Sequence, residues 1–380
     1  MDADATSADG TASRTLTPRD CAVLLRVLDA EEADVKRRQL LFELALALGG
    51  TPALTLLRHL SPAELERLGG VLHSAGRVDE EAVAAIEKIT ERCRRLDDVH
   101  GPGKVLPVVE RQRVLVADLL HQRSLLPNLR QRLLVSYAHL TQFAGYLHYD
   151  SVDHTTARQR YGQALEAAHE IGDATFLTYL HTSMSSMCVY QKRYGEALDH
   201  AFAGDGWARR SASTLMRSLH SMNLAHALAA NGRVPDSERA VAASFQQAEH
   251  PRSEADPGYV YWWLPYEIHT VATDCMLRWG RPDSAIDAAQ QTLAKSIDRT
   301  LLHGQTLLLC ANALIQKREI PAATSMIKDA AHLTAQHTSA RIPDSVRKVR
   351  SLLNPWSGNK HVRDLDEELR SLGIGIPASA

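Results

Sequence analysis

"QFAGYLHYDSVDHTTARQRYGQALEAAHEIGD", residues 142–173, holds the end of one helical stretch, a polar turn at "YDSVDHT" and a second helical stretch. Apolar residues recur at helical spacing on both sides of the turn, so the segment reads as a helical hairpin. Gly145 lies before the turn and Ala157 twelve residues later, followed by Tyr161 and Ala164. Four more segments pair two helical stretches in the same way, with turns near "QKRYGE", "NGRVPDS", "GRPDSA" and "REIPAA". In register, Ala197, Ser237, Ala285 and Ala323 fall where Ala157 falls, and Ser185, Ala225, Thr273 and Ala311 stand where Gly145 stands. All ten are small, which lets two helix axes cross closely where larger residues would hold them apart. The steps of 40, 40, 48 and 38 residues are the period of a helical solenoid.

The rest of the chain reads as helical too. Residues 1–16, "MDADATSADGTASRTL", are small and polar and are expected to be disordered. Residues 17–100 form an N-terminal helical region, opened by Thr17-Pro18-Arg19-Asp20 and containing the capping box Ser61-Pro62-Ala63-Glu64. "VHGPGKVLP" is the clearest break of the first half, and residues 101–125 are expected to be a connecting loop and helix. The five hairpins occupy residues 126–340, and residues 341–372 read as C-terminal capping helices.

"KRRQLLFELALALGG", residues 36–50, sets two arginines before an apolar run, as a twin-arginine export signal does. A leader needs a positive start, yet residues 1–36 hold eight acids against four bases, and Glu43 interrupts the run. A helix of a cytoplasmic protein is the expected reading. No stretch approaches the roughly 18 apolar residues of a membrane span. The formal charge of −2 and the short basic clusters give no footprint for nucleic acid. Five scattered cysteines, Cys21, Cys93, Cys188, Cys275 and Cys310, fit reduced thiols.

Catalytic patterns are missing. "GPGKV" at 101–105 lacks the flanking residues of a phosphate loop, and G-x-S-x-G, H-E-x-x-H and G-x-G-x-x-G do not occur. The eighteen histidines are not spaced as a ligand set: His220 with His226, and His332 with His337, miss the i, i+4 register. Asp97 and Asp98 read as a helix end with solvated acids, since adjacent side chains on a helix diverge. The chain is therefore expected to be no enzyme and to use no cofactor and no metal.

The hairpins resemble the tetratricopeptide repeat, whose motif sets Gly or Ala in the first helix and A-x3-F in the second. Gly145, Ala157, Tyr161 and Ala164 match it; later repeats keep the small pair but carry Ala201, Val241, Ala289 and Ile327 where Tyr161 stands. Every period exceeds the usual 34 residues, so longer helices are expected. The implied fold is all-α: a right-handed superhelical solenoid of helical hairpins with extra N-terminal helices and C-terminal capping helices. "RRLDDVHGPGKVLPVVERQRVLVADLL", the hairpin quoted first and "YVYWWLPYEIHTVATDCMLRWGRPDSAI" are similar to the sensory part of actinobacterial helix-turn-helix transcription regulators. That resemblance implies a signal-responsive regulatory protein. Only about 34 acidic, partly disordered residues precede the twin arginines, against the roughly 55–65 of a compact reader, so the DNA-binding domain is expected to be lacking. Regulation of transcription would then pass through a ligand or a protein partner, without direct specific DNA binding. The other class is a constitutive protein–protein adaptor that senses nothing.

In such a superhelix the first helices line the concave groove. Counting one and four residues on from each small crossing residue, and three and six back, gives the inward stripe. Its polar and aromatic members are His139, Gln142, Tyr146 and Tyr149; Tyr179, Thr182 and Ser186; His226; Glu267, Thr270 and Asp274; and Gln305 and Asn312. Amides, hydroxyls and tyrosines together suit a peptide, a small effector or a protein partner. The 48-residue step carries "QQAEHPRSEADPGYVYWWLP", whose Tyr259, Tyr261, Trp262 and Trp263 read as a core plug, with one of the tryptophans left as a possible partner contact. A homodimer is compatible with all of this.

Overall fold

A computed structural model of the chain describes residues 51–58, 61–72, 78–121, 125–335 and 337–375, with scattered positions before residue 51. The tail at 1–16 and most of "KRRQLLFELALALGG" lie outside the described residues. The chain divides into two compact units, residues 1–85 and 86–380.

In the first unit, α1 (Thr51–Leu57) and α2 (Pro62–Leu72) bury Leu54, Leu57, Leu65 and Leu68. Ser61 N–H donates to Glu64 Oε2 at 2.8 Å and Glu64 N–H donates to Ser61 Oγ at 3.3 Å. This reciprocal box satisfies two amide donors that helix geometry leaves without carbonyl partners. A third helix, α3 (Glu80–His100), begins in this unit and runs on into the second.

The second unit continues with α4 (Pro102–Leu120) and then five hairpins: α5 (Pro127–Asp150) with α6 (His154–Ile171), α7 (Ala174–Tyr190) with α8 (Tyr194–Ala208), α9 (Thr214–Ala230) with α10 (Val234–Ala248), α11 (Pro265–Arg278) with α12 (Pro282–Leu293), and α13 (Thr300–Gln316) with α14 (Ile320–His332). Two further helices, α15 (Arg341–Ser351) and α16 (Lys360–Ser371), bury Ile342, Val346, Val362, Leu365 and Leu369 in the core of the last hairpin. The architecture is an all-α, tetratricopeptide-like array. Among the described residues no helix is long and apolar enough to cross a membrane.

All ten small residues at the hairpin crossings are buried. Two of the five pairs are also joined by hydrogen bonds: Ser185 Oγ donates to Ala197 O at 2.8 Å, and Ser237 Oγ to Ala225 O at 2.7 Å. In the first hairpin a Cβ at Gly145 would stand 3.0 Å from Tyr161 Cδ1, so the glycine makes the room that the buried tyrosine fills.

The five turns share one geometry. The third residue after each first helix has its N–H on a carbonyl five back: Asp153 on His148, Arg193 on Cys188, Arg233 on Leu228, Arg281 on Met276 and Glu319 on Leu314, at 2.8–2.9 Å. The residue before it is left-handed: Val152 (φ 64°), Lys192 (φ 63°), Gly232 (φ 73°), Gly280 (φ 73°) and Arg318 (φ 61°). This is the Schellman closure, for which glycine is the unstrained choice. A left-handed β-branched residue costs about 1–2 kcal/mol, part of which glycine gives back as unfolded-chain entropy. Val152→Gly is therefore expected to raise the free energy of unfolding by about 0.5–1 kcal/mol in urea denaturation; a loss would show that Val152 packing outweighs the strain.

The break read at "VHGPGKVLP" is a joint inside the second unit, and no long connecting loop follows it. Gly101, at φ 77°, alone separates α3 from α4, and Pro102 opens the new helix where its missing N–H costs nothing. A Cβ at Gly101 would fall 2.7 Å from His337 Cε1 and 2.9 Å from Ser339 N, so the glycine serves a close chain approach. Residues 337–341 form a strap across this joint. Thr338 N–H donates to His100 O at 3.0 Å, Ala340 N–H to Asp150 O at 3.0 Å, Ser339 Oγ to Asp150 Oδ1 at 2.8 Å and Arg341 Nε to the same oxygen at 2.5 Å. Beyond the strap, Tyr190 OH on α7 donates to Asp344 Oδ2 on α15 at 2.5 Å. The end of the array is thus fastened back onto its beginning.

Candidate functional site

With the strap and the start of α15 sitting on α3, α5 and α7, the concave side of the second unit holds a partly open cavity of ≈ 270 Å³. The first helices supply its walls. Positions three and four apart share a helix face, which brings Tyr179, Thr182, Ser183 and Ser186 of α7 and Leu219, Met222, Asn223 and His226 of α9 to the same space. Phe143, Tyr146 and Tyr149 line it from α5, and Glu267, Thr270 and Val271 from α11.

The 48-residue step supplies a lid. Arg252 Nη2 donates to the carbonyls of Tyr261 (3.1 Å) and Trp263 (2.9 Å), while Asp256 accepts from Ser213 Oγ at 2.6 Å and from Ser253 N–H at 2.7 Å. These bonds fix a polar segment that carries one short 3-10 helix, Gly258–Val260, and turn its aromatic residues inward. Tyr259 lies 5.1 Å from the Tyr179 ring, 5.7 Å from Phe176 and 4.9 Å from His139. Trp263 is buried with Nε1 on Ser218 Oγ at 3.4 Å; Trp262 meets it edge-on at 5.8 Å and lines the cavity. Tyr261 OH donates to Asp98 Oδ2 at 2.5 Å, and Arg95 stacks 3.4 Å over its ring.

Of the stripe counted from the sequence, Tyr146, Tyr149, Tyr179, Thr182, Ser186, His226, Glu267, Thr270 and Gln305 line the cavity, as do Trp262 and Trp263. Four members do not. His139 lines a second hollow instead, beside Tyr259. The Gln142 side chain is fully buried under the wall, where its Oε1 accepts from Arg94 Nη2 at 3.2 Å. Asp274 is held away by His226 Nε2 at 2.5 Å and Arg278 Nε at 2.9 Å. Asn312, on α13 seven residues past Gln305, falls beyond the cavity. The cavity takes only part of each first helix: the end of α5, the middle of α7 and α9, and the beginning of α11 and α13.

The acids at the end of α3 also depart from the sequence reading. Asp97 and Asp98 both line the cavity, and Asp97 is only 5 % exposed. Asp97 Oδ1 has no hydrogen-bond partner. Burial pushes its carboxyl well above the usual range, and the neighbouring Asp150 and Asp98 add to this. Glu267 is raised to about 8 by burial, which Arg299 Nη1, 3.0 Å from Oε1, offsets only in part. Asn223 Oδ1 and Tyr259 OH are likewise buried without partners, while Asn223 Nδ2 donates to Ser186 Oγ at 2.6 Å.

Three arginines complete the wall, none of them on the counted stripe: Arg94, Arg299 and Arg341. Arg94 lies 4.5 Å over the Phe143 ring and donates to His139 O at 3.3 Å. Arg341 lies 4.4 Å over Tyr149 and is paired with Asp150. Arg341 and His337 arrive from the strap and Arg299 from the start of α13, so helical periodicity does not point to them. The density of aromatics at 259–263 was the one sequence signal for the lid.

No protein-family model matches this chain, and no curated protein matches it. Among solved structures it is similar to a Signal Transduction ATPase with Numerous Domains protein carrying a tetratricopeptide repeat sensor, from Pyrococcus horikoshii, at 10 % identity and a TM-score of 0.40. That match covers 95 % of this chain, which spans 63 % of the other protein's length. The tetratricopeptide-like architecture rests on the five hairpins themselves.

Proposed function

We propose that this chain is a signal-responsive regulatory protein that binds a small effector in this cavity and passes the signal to a protein partner. The observation that carries this reading is the cavity itself: a space walled by aromatic rings and by buried polar atoms without partners, such as Asp97 Oδ1 and Asn223 Oδ1. Buried polar atoms are normally hydrogen-bonded, and a set of unpaired ones around a cavity fits a ligand that completes them. At ≈ 270 Å³ the space suits a small molecule better than a helix or an extended peptide. Because the cavity is lined from both α3 and the strap, a bound molecule touches the beginning and the end of the array together and biases how they meet. The resemblance to actinobacterial regulators supports a role in transcriptional control in the cytoplasm, exerted through the partner and without catalysis.

The adaptor reading predicts a different content. Mass spectrometry of denatured protein purified from its native cells is expected to release a small molecule at near-stoichiometric amount. A stoichiometric protein partner with an empty cavity would establish the adaptor instead.

A further inference from the structure

We infer that the effector is a small organic cation: a primary ammonium on an aromatic or apolar body, with the ammonium placed at Asp97 and the body against the tyrosines and Trp262. The inference rests on the effector reading above and deepens it.

The first argument is how the charged groups pair. Asp97, Asp98 and Glu267 line the cavity with Arg94, Arg299 and Arg341, and Asp150 stands behind Arg341. Arg341 is spent on Asp150 and Arg299 on Glu267, while Arg94 gives its donors to His139 O and Gln142 Oε1. Asp98 has Tyr261, and the Asp97 carboxyl is left with its Oδ1 unpartnered.

The second argument is the kind of atom left unpaired. Asn223 Oδ1 accepts hydrogen bonds and does not donate, Asp97 Oδ1 does the same once a cation beside it ionises the carboxyl, and Tyr259 OH can serve either way, so the ligand is asked for N–H groups. An anion would bring its charge beside Asp97 and Asp98 and find the guanidinium groups already engaged. The third argument is the wall: Tyr146, Tyr179, Tyr259 and Trp262 offer ring faces, which attract a cation and cover an apolar body.

The test uses three probes of one shape with the full chain, by titration calorimetry at pH 7: 2-phenylethylamine, 2-phenylethanol and 3-phenylpropanoate. The amine is expected to bind at least about tenfold more tightly than the alcohol, with the propanoate weakest. Asp97→Asn, which keeps the shape of the side chain, is expected to abolish the amine's advantage while the alcohol binds as before. An alcohol or propanoate that binds as tightly as the amine overturns the ligand class, and so does an Asp97→Asn chain that still prefers the amine. The ranking on the natural chain decides the matter even if the variant folds poorly. If none of the probes binds and the co-purified small molecule lacks a basic nitrogen, the ligand class fails and the effector reading stands. If none binds and no small molecule co-purifies, both fall.

Discussion

Asp150→Ala is expected to cost about 3–5 kcal/mol and to release the strap. Asp150 is fully buried at the end of α5 and holds residues 339–341 through both its side chain and its carbonyl. Alanine would strip the counter-charge from Arg341, itself 7 % exposed and packed on Tyr149, leaving a guanidinium in the interior with no anion. A buried charge without a partner is among the costliest changes a fold can suffer, and the strap opens to relieve it. Hydrogen exchange reads this directly. The amides of Thr338 and Ala340, bonded to His100 O and Asp150 O, should lose their protection while those of α7 and α9 keep theirs. Unchanged protection at Thr338 and Ala340 would mean that the strap is held by something other than this ion pair.

Acid is expected to destabilise the protein, with the loss concentrated between about pH 5.5 and 4. Burial pushes His139 down to about 3, and His181 and His220 down to about 4. In the unfolded chain each takes up a proton near pH 6.5, so between 6.5 and 4 the unfolded state binds more protons and stability rises with pH. Each histidine is worth about 1.4 kcal/mol per pH unit in that window. Asp97 and Glu267, raised in the folded state, act in the opposite sense until the unfolded carboxyls also protonate. Three histidines outweigh two carboxyls. Below about pH 4.5 that compensation ends, and Glu110, held at about 2 by His148, Arg160 and Arg113, begins to count against the fold. The net loss between pH 5.5 and 4 is on the order of 3 kcal/mol, a large part of the stability of many domains. Urea denaturation at pH 7.0, 5.5 and 4.5 measures it. Equal stability at pH 5.5 and 4.5 would show that these histidines are not held neutral.

The hairpins were legible because their constraint is local and repeated. Helices that cross closely need small residues at the crossing, and a twelve-residue spacing within each hairpin writes that need into the sequence, from Gly145 with Ala157 to Ala311 with Ala323. Cavity residues on the first helices were legible for the same reason, since Tyr179, Thr182 and Ser186 share a helix face. Arg341, His337 and Asp97 were not. They meet only because the strap closes on α3 and α5, through bonds that join residues 189 to 240 apart in sequence. A contact made once leaves no period to count. Adjacent acids at a helix end look solvated, and only the arrival of His337 and Arg341 buries Asp97.

That closure also sets the order in which the chain is completed during synthesis. Each hairpin packs on its neighbour and folds from contacts close in sequence, so the array assembles one repeat at a time as it leaves the ribosome. Arg341 follows Asp150 by 191 residues, which at roughly 5–20 residues per second is a delay of about 10–40 seconds. Throughout that interval the nascent concave face is an open surface of tyrosines and tryptophans, the kind of surface that chaperones and neighbouring chains bind. A message truncated before residue 337 would leave it in that state permanently.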